Sequence, residues 1–149
     1  MVTSVRMKLV FRLREVGFAL PIRGLIEIRE DSLDLLDRST ADPDRFLLGE
    51  LPFRGEPLPV RDLAGRLRLD GKSPFRGQIL LVLVGQDGPS GIVADQIDGI
   101  YPDQEFESRH ISPFFLDSQG CPWRHLVLWR DELLVVCEPD KMTNFWELP

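Results

Sequence analysis

Ile79-Leu80-Leu81-Val82-Leu83-Val84 decides the fold. Apolar residues at successive positions leave no face for water, so a strand of this composition lies between two packed layers or barrels. The run is far short of the ~20 residues a membrane-spanning helix requires. Downstream, Gln86–Ser90 is a Gly/Pro turn, and Gly91–Ile100 resumes as a strand with Asp95 and Asp98 along it. Leu126–Trp129, Arg130-Asp131 and Glu132–Cys137 then read as a closing hairpin.

Upstream, Val5, Met7, Leu9, Phe11 and Leu13 alternate with Arg6, Lys8, Arg12 and Arg14, the period of a half-buried strand, with Val10 as the exception. Glu15-Val16-Gly17 breaks the alternation and Phe18, Leu20 and Ile22 restore it, which predicts a hairpin with a glycine-containing turn. Pro21 favours an edge or bulge. Leu25–Arg29 is a further strand with Ile26 and Ile28 on one face, followed by a short helix over Asp31–Asp37 and a polar loop over Ser39–Asp44. Pro52, Gly55, Pro57 and Pro59 make Leu51–Leu63 an irregular strand pair, and Asp62 caps the turn at Leu63–Leu67.

The chain has 149 residues, 43% hydrophobic and 28% charged, which fits one soluble globular unit and excludes a disordered one. A net charge of -6 argues against nucleic acid or an anionic membrane surface as partner, and the basic residues concentrate in the first half. Short strands between Gly/Pro turns, with 12 Gly and 12 Pro, point to small β-barrels. The N-terminus has no uninterrupted apolar run for a signal peptide, so a cytoplasmic location and a reduced core thiol at Cys137 are expected.

Catalytic signatures are lacking. His110 and His125 sit in no nucleophile motif, no phosphate loop occurs, and Cys121 and Cys137 lack zinc-site spacing, so neither an enzyme nor a cofactor is expected. Asp95 and Asp98 would fall on opposite faces of an extended strand and not converge. Phe145-Trp146 either tucks against the fold or contacts a partner, the first being expected; His110-Ile111-Ser112-Pro113-Phe114-Phe115 poses the same choice.

Three segments in order resemble the CheW-like chemotaxis coupling proteins: Phe18-Ala19-Leu20-Pro21-Ile22 with Leu25-Ile26-Glu27-Ile28; Gly49 with Phe53-Arg54-Gly55-Glu56-Pro57-Leu58-Pro59-Val60-Arg61-Asp62-Leu63; and Gly91-Ile92-Val93-Ala94-Asp95-Gln96-Ile97 with Ile100. The chain departs from the family pattern at Arg61, where an apolar residue is usual, and in the longer Ser39–Asp44 stretch. The resemblance implies a mainly β fold of two intertwined five-stranded, SH3-like barrels with short helices, over 1–141, and a tail over 142–149. It also implies a non-catalytic adaptor joining the regulatory domain of a CheA-like histidine kinase to the cytoplasmic hairpin tip of a chemoreceptor, at arrays on the inner face of the membrane.

By the same resemblance, Glu27 and Arg54 fall on a partner-binding surface, and Leu25, Ile79, Ile97 and Ile100 on or beside the receptor groove. Gly49, Gly55, Asp62 and Asp95 are structural: turn, turn, cap and strand end. The rival for the groove residues is a place in the core. The rivals for the function are a small-molecule or sensory β-barrel module and a hydrolase using acidic strand ends.

Overall fold

The computed structural model describes residues 6–30, 32–69, 79–110, 123, 125–142 and 145–146. Val5, Asp31, Cys121 and the Ile111–Phe115 run lie outside the described residues. Eleven strands are described: β1 (Met7–Leu13), β2 (Val16–Pro21), β3 (Leu25–Arg29), β4 (Leu47–Phe53), β5 (Glu56–Arg61), β6 (Ile79–Gly85), β7 (Gly88–Ala94), β8 (Gln96–Pro102), β9 (Glu107–His110), β10 (His125–Trp129) and β11 (Glu132–Val136). One α-helical turn, α1 (Leu63–Arg66), follows β5.

The strands form two sheets, in the orders β8-β1-β2-β11-β10-β9 and β3-β6-β7-β5-β4. The chain begins in the first sheet, builds the whole of the second, and returns to finish the first. These are the two expected β subdomains, one of six strands and one of five. Alternate residues of β1, β2, β6 and β7 enter different cores. Leu9, Phe11, Leu13, Phe18, Leu20, Leu81, Leu83, Ile92 and Ala94 meet in a central seam between the sheets. Val10 and Ala19 face an outer core with Val127, Trp129, Leu134 and Val136. Leu80 and Val82 face a second outer core with Leu51, Phe53, Leu58 and Val60. The two-sided apolar character of β6 is thereby explained, as is the exception at Val10.

Several local readings change. The first hairpin turns at Arg14 and Glu15, with φ of +54° and +94°, so the turn contains no glycine. Asp95 closes it: its carboxylate accepts the Arg14 N–H at 2.5 Å and its own N–H donates to the Arg12 carbonyl at 2.9 Å. Gly17 lies in β2 opposite Arg12. The predicted strand Gly91–Ile100 divides at Asp95 into β7 and β8, which belong to different sheets. The Ser39–Asp44 stretch is two 3-10 turns whose aspartates, Asp37 and Asp42, cap them and bridge to Glu50 and Leu47 of β4. Short polar side chains bonding their own backbone two residues on favour such turns over an open loop.

The C-terminal aromatics complete the seam. Phe145 and Trp146 are 5% and 8% exposed, and Trp123, fully buried, donates its indole N–H to the Glu138 carbonyl at 3.0 Å. Arg66 donates to the Phe145 carbonyl at 2.6 Å and stands 4.4 Å from that ring's centre. Arg61 stands 5.5 Å from the centre of the Trp146 ring and donates to the Arg45 carbonyl at 2.8 Å. Its departure from the family pattern therefore has a local purpose, and burial pulls its pKa below the ordinary arginine value.

A charged strap crosses the first sheet. Arg12 donates to Asp98 of β8 at 2.8 Å and to both carboxylate oxygens of Glu132 on β11 at 2.6 and 2.7 Å. It crosses β2 at Gly17, where a Cβ would overlap Leu134 Cδ2 and stand 2.9 Å from the Glu132 carboxylate. Hydrogen bonding to Arg12 holds the Glu132 carboxyl below its ordinary pKa of 4.5, so its stabilising contribution is full above that value and fades as pH falls through the lower folded value. Arg12→Met is expected to cost about 1–3 kcal/mol at neutral pH, and its urea midpoint should fall less steeply than wild type as pH is lowered below 4.5, where protonation of Glu132 withdraws the strap from the wild type alone. Equal acid sensitivity in the two proteins would remove the strap from the account.

Candidate functional site

The β4–β5 hairpin turns on Arg54 and Gly55, with φ of +51° and +81°. Positive φ at both central residues is the type I′ geometry that fits the right-handed twist of paired strands. A Cβ at Gly55 would meet nothing within 4 Å, so glycine is needed there for its backbone and not for space. The turn sets the Arg54 guanidinium 4.9 Å from the centre of the Phe53 ring. Arg29, on β3, stands 5.2 Å from the same ring. β3 and β4 are the two outer strands of the five-stranded sheet, which therefore curls until its edges meet over one phenyl ring.

Phe53 is 4% exposed and belongs to the outer core of this subdomain, so the platform beneath both arginines is fixed by packing. Glu27 accepts from Arg29 at 3.1 and 3.3 Å. Residues two apart on a strand share a face, and this is the signal by which Arg29 could have been found in the sequence. Glu27 and Arg54 thus occupy one cluster, linked through Arg29 and Phe53, and no ion pair joins them directly among the described residues. Arg54 is exposed and has no carboxylate partner among the described residues. A fixed cation on an apolar platform, beside a neutralised pair, is equipped to accept a carboxylate from another molecule.

The four apolar groove candidates divide. Leu25, Ile79 and Ile97 are partly buried and pack against the central seam, whereas Ile100 is 41% exposed. Leu25 pairs with Leu83 and Ile79 with Ala94, so they lie at opposite ends of β6, about 13 Å apart at the usual strand rise. Ile97 follows the corner at Asp95 and pairs with Phe11 of β1 in the other sheet.

The remaining motif residues shape the backbone. Asp62 accepts the Gly65 N–H at 3.0 Å and caps α1. Gly49 is in β4 and not at a turn; its φ is +153°, and a Cβ there would overlap the Asp37 carbonyl. Asp98 is engaged by Arg12 and Gln96, and Asp95 by the Arg14 backbone, so the two carboxylates face different partners.

Residues 8–143 match the CheW-like domain family. The chain belongs to that family. Members are non-catalytic scaffolds, and a chemotaxis adaptor role follows from membership. The crystal structure of the scaffolding protein TtCheW from Thermoanaerobacter tengcongensis is similar in fold, with a TM-score of 0.76 at 16% identity over 99% of this chain and 91% of that one. No curated protein sequence matches the chain. No described helix is long and apolar enough to cross a membrane.

The turn that aims Arg54 can be tested without removing the arginine. Gly55→Ala puts a Cβ on a residue at positive φ and should lower stability by about 1 kcal/mol, with Gly55→Asn costing less because asparagine tolerates this region. Denaturant titration of both variants checks the order, and equal stability of Ala and wild type would show that the turn relaxes freely.

Proposed function

We propose that this CheW-like chain joins the regulatory domain of a CheA-like histidine kinase to the cytoplasmic hairpin tip of a chemoreceptor, working by binding and geometry with no turnover. The supporting observation is the cluster of Glu27, Arg29, Phe53 and Arg54, where an exposed cation is fixed on a buried ring at positions the family resemblance assigns to partner binding. Leu25, Ile79, Ile97 and Ile100 are the receptor-groove side of the reading, with Ile100 the most exposed of the four. Gly49, Gly55, Asp62 and Asp95 hold the backbone that carries both surfaces. The adaptor unit spans 1–141, with 142–149 as a tail whose Met142, Phe145 and Trp146 pack into the seam, and it acts in the cytoplasm at receptor arrays.

The small-molecule module keeps one observation in its favour. A cleft of about 480 Å³ opens beside Pro21, Gly24, Val84, Gly85 and Cys137, within the size range of ligand pockets. A saturable small ligand that leaves kinase and receptor binding unchanged would favour it.

Titration calorimetry with the regulatory domain of the kinase encoded nearest to this chain should give micromolar binding. Arg54→Glu should weaken it at least about tenfold, near 1.4 kcal/mol. A folded wild type that does not bind would end the kinase half of the proposal for that pair.

A further inference from the structure

A second surface of the five-stranded sheet is built for the opposite charge. An open cleft of about 470 Å³ lies where the 3-10 turns that cover β4 give way to the β4–β5 hairpin. Its apolar part includes Leu35, Leu51 and Pro52, and its acidic part is Asp37, Glu50 and Glu56, with no lysine or arginine in the lining. Leu35 is 69% exposed, more than any other large apolar side chain described.

Seven described carboxylates are held near a cation, and the three in this lining are not. Glu27, Asp98, Asp103, Glu105, Glu107, Glu132 and Glu138 each lie within ion-pair distance of a basic side chain. Among the described residues, Glu50 and Glu56 have no such partner, and Asp37 is engaged only by Ser39, through its N–H at 3.0 Å and its hydroxyl at 2.6 Å. Those two bonds hold the Asp37 carboxyl ionised to lower pH than usual. Three negative charges with no ion-pair partner among the described residues repel one another and are relieved by a positive ligand, while the neighbouring exposed leucine is relieved by an apolar one.

The mode of recognition is also constrained. β4 is an outer strand of its sheet, and an outer strand offers N–H and C=O groups to an added strand. Pro52 and its partner Pro57 have no N–H to offer, so strand addition is blocked at this point and contact must run through side chains.

We propose that this cleft is a docking site for a basic apolar segment of a partner protein, one that places a leucine-like side chain against Leu35 and Pro52 and flanking lysine or arginine residues against Asp37, Glu50 and Glu56. The cleft adjoins the Arg54 cluster at the β4–β5 turn, where Gly55 and Glu56 line it, and takes the complementary charge.

The test uses the full chain, labelled with ¹⁵N, and a capped Lys-Leu-Arg-Leu-Lys peptide as probe, with capped Glu-Leu-Glu-Leu-Glu as control. Saturable amide shifts centred on Leu35, Glu50, Gly55 and Glu56 are expected with the basic peptide alone, weakening as salt is raised. Glu50→Lys with Glu56→Lys should reduce affinity roughly tenfold, and Leu35→Ser should reduce it independently. All three positions lie outside the central seam, and unchanged β6 resonances report that the fold is kept; Glu56→Lys alone, at a fully surface position, serves if the double variant is perturbed. Shifts centred elsewhere, affinity unchanged in the variants, or no saturable shift would overturn the proposal. So would concentration-dependent shifts at the same residues without peptide, which would make a second copy of the chain the occupant.

Discussion

Leu9, Phe11, Leu13, Phe18 and Leu20 from one sheet face Leu81, Leu83 and Ile92 from the other, and all are at most 1% exposed. Burying a side chain of this size stabilises by about 1.5–3 kcal/mol, and here the gain is joint, because neither sheet covers its own inner face. The relative placement of the two subdomains is consequently as firm as the packing within either one. Each sheet then curls around an outer core of its own, and Phe53 is part of one of these. The position of Arg54 is thus the last step in a chain of constraints that begins in the seam and passes through β6, the outer core and the hairpin turn.

The charges follow the same topology. Basic residues are concentrated in the first half of the sequence and acidic ones dominate the second, a split that composition alone leaves without a cause. Part of it is internal bookkeeping between strands: β1 lies beside β8 and one strand away from β11, so Lys8 meets Asp103, and Arg12 meets Asp98 and Glu132. What is left uncompensated is informative. Among the described residues, Arg54 has no carboxylate partner and Glu50 and Glu56 have no basic one, so the β4–β5 hairpin of the second subdomain presents both signs of charge.

Much of the architecture was legible because burial on a strand has a period of two. β3 is recovered at its exact residues, and the closing hairpin and the Asp62 cap are where local chemistry predicted. The division at Asp95 was missed although the sequence carries its trace: the apolar alternation slips from Ala94 to Ile97, a spacing of three that one continuous strand does not allow. The paired 3-10 turns had a trace as well, in Asp37-x-Ser39 and Asp42-Pro43-Asp44. The Arg12 strap had none, since its partners are distant in sequence and meet only once the sheet is assembled. At the candidate site, Glu27 and Arg54 were reached through resemblance, while Arg29 and Phe53, which physically join them, follow from the curl of a sheet that no local pattern encodes.

The order in which the chain visits its two sheets also bears on how it is made. β3 to β7 form one sheet from a contiguous stretch, whereas β2 must wait for β11, pairing Phe18 with Val135 near the other end of the chain. As the polypeptide leaves the ribosome, the second subdomain has all its strands first. The β1–β2 hairpin meanwhile holds Phe11, Phe18 and Leu20 without their final sheet neighbours, and strand pairing across such a separation is slow because the loop must close before the contacts reward it. The amino-terminal hairpin is therefore the part of this protein most exposed to misassembly during synthesis, and the part for which early docking onto β6 and β7 matters most.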